Sequence, residues 1–199
     1  MEFDQVLRVL DSFNEAIPVG DLFKPPPNPH APALNKPGLY SIFIDDRECL
    51  PPKFAEYMAI KSTSMVYLGK AAATRRPLYY RLVEQDLGGK GNSTFFRSMG
   101  AVLGKQPLRE SLRGKNNQNN YKFDLSKTEC ITKWMKAHLS VRWVPLRREL
   151  ILEYERRAID YFRPVLNIKH NPEKLAELEI LREKCRSIAR GISPPSGER

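Results

Sequence analysis

The chain has 199 residues, with 33 Lys+Arg against 23 Asp+Glu for a formal net charge of +10, and is 41% apolar and 10% aromatic. That suits one domain with a real core and excludes a disordered chain. No apolar run approaches the ~18–20 residues of a membrane span, the acidic start Met1-Glu-Phe-Asp lacks the order of a signal peptide, and three scattered cysteines (Cys49, Cys130, Cys185) form neither a disulfide framework nor a paired zinc site. These features predict a soluble cytoplasmic protein with reduced thiols and no membrane partner.

In chain order, Phe3, Val6, Leu7, Leu10 and Phe13 at helical spacing predict an amphipathic helix over 2–16. Residues 24–37 hold six of the sixteen prolines and read as an extended connector. Gly38-Leu-Tyr-Ser-Ile-Phe-Ile44 is a strand, residues 45–61 a proline-broken acidic loop with a short helical turn, and Ser64–Gly69 a second strand. Pro77 opens a helix to about Leu87, ended by Gly88-Gly89-Lys90-Gly91, and Asn92 or Ser93 caps another through Leu103. The polar stretch 104–126 reads as a long mobile loop. A helix over Ile131–His138, a strand over Leu139–Val144, a strong helix over Arg147–Phe162 and a charged helix from Pro172 to about Arg190 complete the chain. The order predicts an α+β fold with a small sheet flanked by helices.

Charge is unevenly placed. Residues 1–60 carry 5 basic and 9 acidic side chains, whereas residues 70–122 carry 11 and 3. Such a field favours polyanions, nucleic acid above all, although a solvated basic surface gives the same count.

The helix over 147–162 contains one anomaly. At ~100° per residue, Leu150, Ile151, Leu152, Tyr154, Ala158, Ile159, Tyr161 and Phe162 form one apolar arc, and Glu155 is the only charged residue inside it. A carboxylate turned toward a core needs a partner. Either it forms a buried ion pair, with Arg81 for example, or lies at the margin of the arc, or it opens into a cleft and binds a divalent cation such as Mg²⁺ through oxygen.

Four motifs in order bear on that choice. Gly38-Leu-Tyr40 is followed, 27 residues after the tyrosine, by Tyr67-Leu-Gly69 and Lys70. Leu78-Tyr-Tyr-Arg81 follows, and Glu155 lies nine residues before Pro164, with Asn167 three after it. This pattern resembles the GIY-YIG nuclease superfamily over residues 38–167, and Asn92–Gly104 resembles an insertion carried by a bacterial branch of it. The resemblance implies a three-stranded antiparallel sheet with one active site across one face, in a catalytic domain over 38–170. An N-terminal helix and connector (1–37) and a C-terminal helix and tail (171–199) would flank it. Gln85 departs from the pattern, standing where many relatives have His or Tyr.

By the same resemblance the activity is divalent-metal-dependent endonucleolytic hydrolysis of DNA, duplex or branched, with one Mg²⁺ or Mn²⁺ ion on Glu155. Tyr40 would deprotonate water, helped by positive charge from Lys70. Arg81 would hold the phosphate, and Tyr67 and Asn167 would orient it. Arg75, Arg76, Arg97, Lys105, Arg109, Arg113 and Lys115 are candidates for less specific phosphate contacts. Cleaving both strands from one centre suggests a homodimer. The alternatives are a nucleic-acid-binding protein that keeps the fold without catalysis, and a module for an acidic protein partner.

Overall fold

The computed structural model describes residues 1–24, 30–73 and 77–192. Strand β2 (Gly38–Ile44) runs through its centre with every residue buried, as an apolar run without polar alternation requires when both sheet faces are covered. It pairs antiparallel with β3 (Met65–Ala71) on one side and β4 (Leu139–Pro145) on the other. The sheet is four-stranded rather than three-stranded, because β1 (Ile17–Pro18) pairs with Val141 and Ser140 of β4 to give the order β1-β4-β2-β3. Two residues are too few to display a strand period, and the proline sits at a sheet edge where its missing N–H costs nothing.

Alternate residues of β2 serve two cores. Leu39 and Phe43, with Met65, Leu68 and Val144, pack against α1 (Phe3–Asp11) and α7 (Arg148–Phe162) through Val6, Leu10, Ile151 and Ala158. Tyr40, Ile42 and Ile44 face the other way, toward α2 (Val19–Leu22), α4 (Pro52–Ile60), α5 (Thr94–Val102) and α6 (Leu125–His138). The Ser41 hydroxyl, on the first face, donates to the Leu10 carbonyl at 2.7 Å and fixes α1 to the central strand.

Several local expectations change. Within the described part of the proline-rich stretch the chain makes a helical turn, α3 (Ala31–Leu34), and buries Leu34 rather than running fully extended. Pro51 and Pro52 start helix α4 instead of breaking the segment, since a missing N–H is harmless in a first turn. Residues 104–126 contain no strand or helix before α6, yet they are anchored rather than loose. Leu112 and Tyr121 are buried against Cys185 and Ala189 of α8 (Ala176–Arg190), and the Leu112 N–H bonds the Ala189 carbonyl at 2.9 Å. On α7 the buried stripe is narrower than its sequence arc, with Leu152 and Tyr161 exposed. No helix among the described residues is long and apolar enough to cross a membrane.

Candidate active site

Two glycines are explained by close approach. In the β2–β3 register Tyr40 lies opposite Gly69, and a Cβ on Gly69 would stand 2.4 Å from both the hydroxyl and the ring carbon that bears it. The tyrosine therefore lies flat across the glycine. A Cβ on Gly38 would meet the Val144 carbonyl oxygen at 2.2 Å, so the strands can approach there only without a side chain.

The Tyr40 hydroxyl is spent on a residue that the sequence reading missed. It donates to Asp86, which is fully buried on the π-helix Tyr79–Leu87. Asp86 also accepts from the Ser93 hydroxyl at 2.5 Å and stands 3.2 Å from the Arg81 guanidinium. Ser93 itself caps α5 by accepting from the Phe96 N–H at 2.8 Å. A π-helix bonds i to i+5, which stacks residues five apart, and this brings Arg81 and Asp86 together. Gln85 accepts from the same guanidinium at 3.1 Å, so it holds Arg81 in place of acting as a proton acceptor.

Electrostatics follow from burial. Desolvation is the main cause that raises the Asp86 carboxyl, opposed by Arg81 and by the hydrogen bonds from Ser93 and Tyr40. Desolvation, then the Asp86 charge, hold the Tyr40 phenol well above its ordinary value. The Arg81 charge acts to lower it. Tyr67 is raised too, by burial and then by Asp86, with the adjacent Arg81 acting to lower it. Burial disfavours the Arg81 charge, but Tyr40, Asp86 and Tyr67 outweigh this and leave the guanidinium firmly protonated.

The second half of the site reaches round the edge of the sheet. Tyr40 and Tyr67 belong to the face that packs the π-helix. Lys70, three residues after Tyr67, pairs opposite Leu39 and turns to the α7 face, where its ammonium forms an ion pair with Glu155. The Glu155 side chain is 14% exposed, so the carboxylate inside the apolar arc has a cationic partner, Lys70 rather than Arg81. Tyr67, Lys70, Glu155, Asn167 and Arg182 share one cavity of about 400 Å³. Lys70 and Arg81 also line an adjoining cavity with Tyr80 and Gln85. The candidate residues expected across one face thus lie on both sides of the edge strand β3.

Asn167 is committed to that edge. Its amide oxygen accepts from the Leu68 N–H at 2.9 Å and its amide nitrogen donates to the Leu68 carbonyl at 2.8 Å, as a neighbouring strand would. Asn171, another residue without a signal in the sequence, ties the loop by donating to the carbonyls of Pro164 and Asn167. Of the other candidates, Arg97 is buried, Lys105 half-buried, and Arg109, Arg113 and Lys115 exposed, with Arg113 paired to Glu110 at 3.3 Å. Arg75 and Arg76 lie outside the described residues.

A family model described as the GIY-YIG catalytic domain matches residues 38–184. The chain belongs to the GIY-YIG family. No match was found among curated proteins or among solved structures. The matched region of this GIY-YIG domain begins at the first glycine of β2 and ends within α8.

A nuclease of this family implies a divalent cation. No group of three or more His, Cys, Asp or Glu among the described residues could enclose one. The carboxylates on the cavity wall are Glu155 and Glu179, and Glu179 pairs with Lys174 at 3.0 Å. One carboxylate beside a space for water and phosphate oxygens fits Mg²⁺, which keeps several waters and is commonly held by one or two carboxylates. Glu155 would hold it. Asn167, whose amide is occupied, and Asp86, which is enclosed, are not available as ligands.

Proposed function

We propose that this GIY-YIG protein is a divalent-metal-dependent endonuclease that hydrolyses DNA phosphodiester bonds around Arg81, Tyr67 and Glu155. The observation that carries the reading is the Arg81 guanidinium, held by the buried Asp86 and by Gln85 beside a phenol on the wall of the cavity that also holds Glu155. A planar donor fork fixed in a partly dry site suits a phosphate and the charge that develops on it.

Of the two tyrosines, Tyr67 faces the cavity, whereas Tyr40 is 0% exposed and bonded to Asp86. We therefore assign to Tyr67 the contact with the attacking water and phosphate. Tyr40 is a positioning residue that steadies Asp86 and, through it, Arg81. Arg81 acts to lower the Tyr67 phenol and Glu155 to raise it. A divalent cation on Glu155 would supply positive charge to the phosphate and leaving oxygen and would offset the carboxylate that opposes ionisation of Tyr67. Lys70 pairs with Glu155 on the wall of the cavity. Cutting both strands requires a second copy or two successive nicks.

Cleavage of supercoiled plasmid with Mg²⁺ or Mn²⁺ tests this. The parent should nick, Glu155→Ala and Arg81→Ala should lose roughly 10²-fold or more, and Tyr67→Phe should lose more than Tyr40→Phe. A parent that leaves plasmid, branched and single-stranded DNA intact while binding them in a salt-sensitive way would establish the non-catalytic binder instead.

A further inference from the structure

We propose that Arg182, backed by Arg97, seats the backbone phosphate next to the scissile one on a DNA strand running through the cavity beside Glu155. This rests on the endonuclease reading and adds to it a second phosphate position on α8.

The two arginines are unusual as structural residues. Each is only 6% exposed, and neither forms an ion pair with a carboxylate among the described residues. The Nε of each is enclosed without a hydrogen-bond partner. Arg182 donates from Nη1 to the Ser98 hydroxyl at 3.3 Å, and the Arg97 guanidinium lies 5.9 Å from the centre of the Tyr121 ring. Burial and then the Arg182 charge push Arg97 down to about 10. The buried carboxylate within electrostatic reach of Arg97, Asp86, is already shared by Tyr40, Ser93 and Arg81. Two like charges with unmet donors in a desolvated position cost stability, and a purely packing role would be filled better by Leu or Met.

An anion removes the conflict. Arg182 lines the same cavity as Tyr67, Lys70 and Glu155. Arg97 lies within electrostatic reach of both Arg81 and Arg182, and Tyr67 acts on both Arg81 and Arg182. With one phosphate on Arg81, the next phosphate of the strand finds a buried fork at Arg182. Arg182 lines the cavity of about 400 Å³, Arg81 lines the adjoining one, and Lys70 lies on the wall of both, so a strand crossing from one to the other passes both guanidiniums. Charge-assisted donors of this kind recognise phosphate independently of sequence.

Calorimetric titration of the full chain in EDTA with thymidine 3′,5′-bisphosphate and with thymidine 5′-monophosphate reads this without cleavage. The parent should bind the bisphosphate about tenfold or more tightly than the monophosphate, and Arg182→Met should abolish that preference. Unliganded Arg182→Met should melt no lower than the parent, whereas loss of a merely structural arginine would lower its Tm. Equal affinity for the two nucleotides in the parent, or a preference that survives in Arg182→Met, overturns the assignment. If Arg182→Met does not fold, Arg182→Lys keeps the charge and loses the fork, and an unchanged preference in it overturns the assignment equally. A parent that cuts plasmid but shows no preference loses only the second phosphate position; one that does neither loses both readings.

Discussion

Gly69 and Asp86 show how single positions hold the centre together. Gly69→Ala would drive a methyl group into the Tyr40 hydroxyl. It should cost roughly 1–3 kcal/mol by overpacking, read from the urea midpoint, and should cut plasmid nicking by displacing Asp86. Asp86→Ala would leave the Tyr40 and Ser93 hydroxyls and the Arg81 guanidinium facing an emptied pocket, at a cost of about 3–5 kcal/mol. Asp86→Asn, which retains an acceptor for Tyr40, should lose less. The tyrosines, Arg81 and Glu155 were all readable from ordered motifs. Asp86 was not, because an ordinary helix carries a residue five positions after Arg81 to a different face. Only the wider i to i+5 winding restores the contact, and nothing in the local residue types announces that winding.

Helices and strands were read best where the chain repeats a period over many residues and worst where it does not. The α7 helix and the Ser93 cap were visible in spacing and residue type, while α4 and β1 were masked by prolines that serve as a helix start and a sheet edge. The start of α6 lies six residues before its predicted position, because Asp124 rather than an apolar residue begins it. The Asp124 side chain accepts from the Lys127 N–H at 2.9 Å, and hydrogen bonds from Lys127 and Ser126 lower its carboxyl to about 2. A carboxyl depressed in the folded state stabilises it above the ordinary aspartate range and loses that contribution as pH falls toward about 2. The parent should therefore lose Tm on acidification through that window more steeply than Asp124→Asn, which can still accept the backbone bond.

At the level of the whole molecule, residues far apart in sequence close one structure around β2. Val6 and Leu10 from the chain start, and Leu178, Cys185 and Ala189 from α8, are all buried. A chain stopped after residue 170 should therefore lose cooperative thermal unfolding. A protein that still melts as one transition would mark 171–199 as a dispensable appendage. Such long-range closure has no signature in local spacing, so the sequence separated what the core unites. The amide of Asn167 and the Leu166 N–H occupy the outward-facing groups of Leu68 and Val66 along β3. A visiting peptide or a sister molecule finds no free ladder to extend at those rungs, so self-association there must proceed through side chains.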